Sequence, residues 1–241
     1  YRSSDDGYAV LGRRARRRVV VSGTGGLPTV LVQAMRQAGV GKIVFSSSAT
    51  VYGTPERLPI RETDPLGAQS NPYGASKVAT EAFVAVYNQL FGMDALILRY
   101  FNPYGPNELH DPETHAIPNF IKSMLAQEPI PLYWKGEQVR DFIYVDDLAR
   151  AHTAVLSLDG LDYFNVGSDT GSKMIDVIDE IAGIVGREPQ IADLGERPGD
   201  VPASYASSEK LRAATGWRAQ VPLREGLERT VAWFAERRSR D

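Results

Sequence analysis

Cysteine is absent from the chain, which excludes a disulfide framework, thiol catalysis and the common thiolate zinc sites. Histidine is scarce, and His110, His115 and His152 stand at no metal-ligand spacing, so no metal is expected. No apolar run approaches the roughly 20 residues that cross a bilayer, and residues 1–12 lack the charged and apolar regions of a secretory leader. A soluble, cytoplasmic protein is expected. Neither sign of charge prevails: 27 basic residues face 30 acidic ones, and the net charge of -3 gives no general attraction to nucleic acid or to an anionic membrane. The expected ligand is therefore small.

What the chain does have is enough apolar sequence to build a core. With 241 residues, 43% of them hydrophobic, it reads as one large domain or two interleaved ones. Apolar, β-rich runs alternate with helix-length amphipathic stretches, the pattern of βαβ units feeding a parallel sheet. Residues 32–38 read as a helix ended by Gly39, and 42–46 as a buried strand running into a serine cluster. After a loop over 54–72 rich in proline, glycine and charge, a long helix starts past Pro72. It carries Ala79, Phe83, Val86, Tyr87 and Leu90 on one face and stops at Gly92. Residues 95–99 read as a second buried strand. Further helices are expected over 119–127, 146–158, 175–185 and 223–237, with short strands over 141–145 and 163–166.

Near the N-terminus, Arg13, Arg14, Arg16, Arg17 and Arg18 form a basic run that reads as a solvated or non-native end rather than a polyanion-binding tail. Residues 19–29 then read as a strand and glycine turn leading into a helix. This resembles a dinucleotide fingerprint, in which glycines let a pyrophosphate approach a helix N-terminus. The match is poor. Thr29 stands where a third glycine is expected, Pro28 crowds the turn, and no acidic residue follows about 20 positions on to hold a ribose.

The most informative feature is Tyr73-Gly74-Ala75-Ser76-Lys77, preceded by Ser46-Ser47-Ser48. Tyr73 and Lys77 are four apart on a predicted helix and project from one face. A hydroxyl, a phenol and an ammonium group together can strip the proton from an alcohol while a hydride leaves the same carbon. A phenol that works as a base at neutral pH needs its usual value near 10 brought down by about three units, or about 4 kcal/mol of differential stabilisation. A neighbouring ammonium and a cationic nicotinamide ring supply that charge, and Ser48 would bridge the phenol and the substrate hydroxyl. The plain alternative is an ordinary helix with an exposed Tyr and Lys.

The wider pattern narrows the choice. Ser46-Ser47-Ser48-Ala49-Thr50-Val51-Tyr52-Gly53, Tyr73-Gly74-Ala75-Ser76-Lys77, Leu98-Arg99-Tyr100-Phe101-Asn102-Pro103, Val139-Arg140-Asp141-Phe142-Ile143-Tyr144-Val145-Asp146-Asp147-Leu148-Ala149 and Arg197-Pro198-Gly199-Asp200 occur in order. Together they resemble the extended short-chain dehydrogenase/reductases, and within them the epimerases acting at C4 of a UDP-hexose. The resemblance covers residues 34–235. It implies an α/β fold: a Rossmann-like doubly wound parallel sheet lacking its first βαβ units, about 75 residues short of the family pattern ahead of Ser48. A smaller C-terminal substrate-binding α/β part follows. The expected division is 1–103 for the NAD-binding part and 104–241 for the UDP-sugar part, with 139–158 packing back on the former.

By the same resemblance Tyr73 is the catalytic base, Ser48 its partner, and Lys77 both tunes the base and holds the nicotinamide ribose of NAD. Tyr100 and Phe101 flank the nicotinamide and Ser46 belongs to the cofactor site. Asn102, Asn119, Arg140, Arg197 and Asp200, with Ser48, address the UDP-sugar. Guanidinium groups suit a diphosphate, and amides with Asp200 suit uracil and ribose. Taken alone, Arg140 and Asp141 also read as a surface ion pair, and 197–200 as an ordinary turn. The implied reaction is NAD-dependent 4-epimerisation of UDP-glucose and UDP-galactose through a 4-keto sugar. Ser204, near the sugar's 2-substituent, leaves room for an N-acetyl group. Alternatives are an inactive or truncated nucleotide-sugar-binding protein, a 4,6-dehydratase, which needs an Asp-Glu pair where Ala49 and Thr50 stand, or another NAD-dependent sugar oxidoreductase. Helices over 73–90 and 32–38 resemble those that pair across a homodimer, with Val84 and Val86 as contact residues.

Overall fold

The computed structural model describes residues 8–11, 18–21, 28–109, 115–196 and 200–239. Its elements, in chain order, are β1 (Tyr8–Leu11), β2 (Arg18–Val21), α1 (Pro28–Gln37), β3 (Lys42–Ser48), α2 (Pro72–Phe91), β4 (Asp94–Tyr100), β5 (Asn102–Tyr104), α3 (Ala116–Ala126), β6 (Ile130–Leu132), β7 (Val139–Arg140), β8 (Phe142–Tyr144) and α4 (Val145–Ala154). They continue with β9 (Leu161–Val166), β10 (Ser172–Lys173), α5 (Met174–Val185), β11 (Ile191–Asp193), β12 (Ala203–Ser204), α6 (Glu209–Thr215) and α7 (Leu223–Arg238). No described helix is long and apolar enough to cross a membrane.

The chain folds into two compact units. One comprises Tyr1–Tyr100, Ala149–Val166 and Ser207–Trp217; the other comprises Phe101–Leu148, Gly167–Ala206 and Arg218–Asp241. A single cut between residues 103 and 104 therefore does not describe them. The reason is strand pairing: β9 hydrogen-bonds to β4, so the chain returns to the first unit after leaving it at Tyr100. Of the segment 139–158, only 149–158 belongs to the first unit.

The first unit is a Rossmann-like α/β layer structure built on the sheet β1-β2-β3-β4-β9. β2, β3, β4 and β9 run parallel, and β1 adds an antiparallel edge. The strand and helix expected around residues 19–29 are present as β2 and α1, with β2 in parallel register from Arg18↔Lys42 to Val21↔Phe45. The glycine turn between them lies outside the described residues. β3 is buried at every position, as a strand covered on both faces must be. Its odd-numbered residues Ile43 and Phe45 join Val32, Met35, Val84, Ala95 and Ile97 in one core.

α2 owes its limits to local chemistry. Asn71 caps it by accepting the Gly74 N–H at 2.9 Å, Pro72 supplies a helical φ at the first turn, and Gly92 ends it in the left-handed region at φ 63°. The apolar stripe read from the sequence does not face inward. Gly74, Lys77, Glu81 and Val84 are buried instead, while Phe83, Val86 and Leu90 are 43%, 47% and 65% exposed. Val84, expected as an exposed contact residue, is thus in the core. The inward face is set by a small residue and two charged ones that have partners on the sheet.

The second unit holds its own core. Tyr104, Ile117, Phe120, Ile121, Ile130, Phe142, Ile178, Leu227 and Phe234 pack together from α3, α5, α7 and the short strands. Its small sheets pair as β10-β7-β12, β11-β6 and β5-β8. The strand expected over 141–145 is present as β8; Asp141 separates it from β7, a further short strand that belongs to a different sheet. The helix expected over 146–158 ends at Ala154 and gives way to a single tighter turn, Val155–Ser157.

Removal of the α2 cap in Asn71→Ala is expected to lower stability by about 1 kcal/mol, seen as a lower urea midpoint at unchanged m value.

Candidate active site

Ser46, Ser47 and Ser48 occupy the last positions of β3, where the strand gives way to the turn Ala49–Tyr52. Ser48 caps that turn, its Oγ accepting the Thr50 N–H at 3.3 Å, and is 8% exposed. The first turn of α2 packs against the same place. Gly74 allows the approach: a Cβ there would stand 3.6 Å from Thr50 Oγ1 and would run into Oε1 of Gln69. Gln69 is itself fixed, donating to Val51 O at 3.0 Å and Gly67 O at 2.8 Å.

Lys77, one turn further along α2, is 4% exposed, and its Nζ donates to Ser46 O at 2.8 Å. The ammonium lies 5.4 Å from the centre of the Tyr73 ring and 5.2 Å from that of Phe45. Burial pulls Lys77 down to about 8, with the charge of Glu81 acting in the opposite direction. Tyr73 is 46% exposed, as a group that meets a ligand needs to be. The structure thus brings Ser46, Ser48, Tyr73 and Lys77 to one end of β3.

On the opposite face of the strand, Ser46 Oγ accepts from Tyr100 OH at 2.6 Å, and Tyr100 OH meets His152 Nε2 at 2.5 Å. Burial drives the Tyr100 phenol well above its ordinary value, with the Ser46 bond opposing and a charge on Tyr73 adding to the rise. Tyr100, expected beside a nicotinamide, therefore has its hydroxyl committed to Ser46 and His152. Behind Ser47 lies a second buried network. Glu81 accepts Ser47 Oγ at 2.5 Å and the Arg99 fork at 2.7 and 3.1 Å; Arg99 donates on to Tyr52 OH at 2.9 Å, and Tyr52 to Asn165 Oδ1 at 2.7 Å. Burial pushes the Tyr52 phenol up to about 12 against the pull of Arg99.

The second unit gathers part of the expected nucleotide group around β7. Arg140 Nη2 bonds Asp200 Oδ1 at 2.6 Å, and Gln138 Nε2 reaches Asp200 Oδ2 at 3.2 Å. Ser204 stands opposite Arg140 in the register of β12 and β7. Asn102 Nδ2 is tied to Asp141 O at 3.0 Å, Asn119 is half-buried on α3, and Phe101 is buried. Arg197 lies outside the described residues. Arg140 and Asp141 are not a surface pair: Asp141 is fully buried and accepts from Ser168 N, Ser168 Oγ and Ala206 N at 2.7, 2.7 and 3.0 Å. Burial raises Asp141 to about 6 in spite of these donors. No group of three or more His, Asp or Glu that could hold a metal occurs among the described residues.

The Rossmann-like sheet with a serine, a tyrosine and a lysine at one strand end defines the class of nucleotide-dependent α/β proteins. The model of the NAD dependent epimerase/dehydratase family matches residues 14–167, and the chain belongs to that family. It is 35% identical to the UDP-glucose 4-epimerase of Bacillus subtilis, covering 85% of this chain and 66% of that protein. To the UDP-glucose 4-epimerase of Lacticaseibacillus casei it is 37% identical, over 81% and 63%. Among solved structures it is similar to UDP-glucose 4-epimerase from Thermotoga maritima with UDP-glucose, with a TM-score of 0.83, 31% identity and coverage of 87% and 68%. It is likewise similar to the Bifidobacterium longum enzyme in complex with NAD+ and UDP, with a TM-score of 0.79, 32% identity and the same coverage. The chain spans about two thirds of the length of the curated relatives it matches.

Sequence reasoning missed Glu81, Arg99, Tyr52, Asn165, His152 and Gln138. Glu81 had a signal, standing one turn beyond Lys77 on the same helix face. The others are joined only through the fold.

The depressed Lys77 value has a measurable consequence. Between pH 8 and 10.5 the unfolded chain keeps a lysine proton that the folded chain has lost, so folding stability rises with pH through that window and is flat below it. Urea midpoints of the parent and Lys77→Met, compared across pH, are expected to diverge in the parent's favour by about 3 kcal/mol at most.

Proposed function

We propose that this chain carries the proton-transfer and nucleotide-anchoring residues of an NAD-dependent UDP-hexose 4-epimerase. The observation that carries the reading is the group at the end of β3: Tyr73 exposed, Lys77 buried beside it with Nζ on Ser46 O, and Ser48 at the strand's last position. These are the parts needed to take a proton from a secondary alcohol and return it.

The donor set fits the nicotinamide end of NAD. An ammonium has three N–H donors, and Lys77 spends one on Ser46 O, leaving others for the hydroxyls of a ribose. NAD bound beside Tyr73 and Lys77 would supply the hydride acceptor at the sugar carbon and give the hydride back. The glycine turn ahead of α1, which would face a pyrophosphate, lies outside the described residues.

Tyr73 would accept the proton of the C4 hydroxyl, with Ser48 holding the same oxygen and giving the proton a short path. Lys77, still mostly charged at neutral pH, stands with Nζ 5.4 Å from the centre of the Tyr73 ring. The same phenol then protonates the C4 oxygen after the sugar has presented its other face, so no net proton is consumed. The second unit would hold UDP. Arg140, kept in place by Asp200 until a diphosphate competes for its fork, would with Arg197 take the diphosphate, while Asp200, Asn102 and Asn119 would serve uridine. Charge concentrated on the nucleotide leaves the hexose weakly held, which turnover of the 4-keto sugar requires.

The reading includes a soluble, cytoplasmic homodimer. Phe83, Val86, Leu90 and Phe91 of α2 and Val30 of α1 form exposed apolar surface on two adjacent helices, of the kind a second copy covers. It also includes acceptance of UDP-N-acetylglucosamine, because Ser204 opposite Arg140 is small.

Exchange of UDP-glucose and UDP-galactose, followed by chromatography with NAD present, is expected to fall by about a hundredfold or more in Tyr73→Phe. Undiminished exchange in that folded variant removes the basis of the proposal. Ser204→Tyr is expected to lower kcat/KM for the N-acetylated sugar by about tenfold or more while sparing UDP-glucose; equal losses on both sugars contradict the role given to Ser204.

A further inference from the structure

We propose that Glu81 is a positioning residue for Tyr73 and Lys77, fixing the rotation and depth of α2 against the end of β3 and holding Lys77 as its ammonium. The proposal rests on the reading of Tyr73 and Lys77 as the proton-transfer pair. Three consecutive serines are gripped by different partners: Ser46 O by Lys77, Ser47 Oγ by Glu81 and Ser48 Oγ by the Thr50 N–H. Lys77 and Glu81 are successive inward residues of α2, so their two bonds to adjacent strand residues fix how the helix is turned.

Glu81 is held in turn from behind. Its carboxylate takes both Nε and Nη2 of Arg99, and the guanidinium lies 4.9 Å from the Tyr52 ring centre and 4.8 Å from that of Tyr163. Both charged side chains are within 5% of complete burial. A buried ion pair is a poor source of net stability, since desolvation of both ions offsets their attraction, and a well-packed apolar pair can match it. What such a pair does supply is one geometry: a planar fork on a planar carboxylate admits little rotation. That restraint passes directly to the helix carrying Tyr73 and Lys77.

The electrostatics point the same way. Glu81 is the charge that acts on Lys77 against the effect of burial. The titratable and charged groups around them include Lys77 and Tyr73 from α2, Arg99 and Tyr100 from β4, Tyr52 from the turn after β3, Tyr163 from β9 and His152 from α4, which meets Tyr100 at Ser46. Glu62, from the long loop, reaches Arg99 and Tyr52. None of the others is a carboxylate bound to Lys77's own helix face, so loss of the Glu81 charge is not made good by a neighbour.

The test needs neither substrate nor cofactor. Lys77 is titrated in the 241-residue chain by its rate of acylation against pH, read by peptide mass spectrometry, in the parent, Glu81→Gln and Glu81→Asp. In Glu81→Gln the midpoint is expected to fall by about one pH unit, and in Glu81→Asp to recover most of the parent value. An unchanged or raised midpoint in a folded Glu81→Gln overturns the proposal. Should Glu81→Gln strand Arg99 and fail to fold, the double variant Glu81→Gln with Arg99→Met leaves no buried cation at that position and carries the same expectation and the same overturning result. Epimerisation kinetics add a second arm: kcat down by about tenfold, with KM for UDP-glucose within about twofold of the parent. If the parent chain itself exchanges no UDP-sugar, the functional reading fails, and the Lys77 midpoint alone decides the role of Glu81.

Discussion

The end of β3 is the constraint on which the rest of the first unit depends. A strand buried on both faces leaves its last residues no freedom, and here three serines in succession meet separate partners: an ammonium on the carbonyl of Ser46, a carboxylate on the hydroxyl of Ser47 and a backbone amide on the hydroxyl of Ser48. Because neighbouring strand residues face opposite ways, one segment addresses α2 through Ser47 and the Tyr100–His152 pair through Ser46. Serine suits this use: it is small enough for a crowded strand end and offers both a donor and an acceptor. Larger residues would separate α2 from the strand and carry Tyr73 away with it.

On the proposed reading the chemistry falls to two sets of residues, one in each unit. The first unit has its titratable groups shifted mainly by desolvation, as with Lys77, Tyr52 and Tyr100. In the second unit burial likewise pulls Arg140 down, and Asp200 opposes it through their bond while Gln138 steadies the same carboxylate. Proton transfer at a phenol would benefit from an ammonium held beside it, whereas diphosphate recognition would benefit from a guanidinium that is always charged and oriented in advance.

Much of this was legible in the sequence where local rules decide. Pro72 and Gly92 announce the ends of α2, and the apolar run before Ser46 announces a buried strand. Tyr73 and Lys77 were grouped by spacing and Ser48 by its place after the apolar run, and the fold brings all three to the end of β3. What escaped detection depends on tertiary pairing. The inward face of α2 was misread because its buried residues include Lys77 and Glu81, and hydrophobicity cannot identify a buried charge whose partner, Arg99, is 18 residues away. Asp141 looked like the partner of Arg140 by adjacency, although a strand turns neighbours to opposite sides and gives Asp141 to Ser168 and Ala206. Interleaving was open from the sequence, which reads as one domain or two interleaved ones with 139–158 packing back, but its bounds were not, since they follow from β9 pairing with β4 across an excursion of the chain.

The central claim is that the group at the end of β3 handles the C4 hydroxyl of a nucleotide-linked hexose while the hydrogen on that carbon leaves and returns as hydride. Its most direct test is conversion of UDP-glucose carrying deuterium at C4. The account predicts UDP-galactose that retains the deuterium at C4, formed with a primary isotope effect in single turnover. Wash-out of the label into solvent, or label retained with no isotope effect on the chemical step, would contradict it.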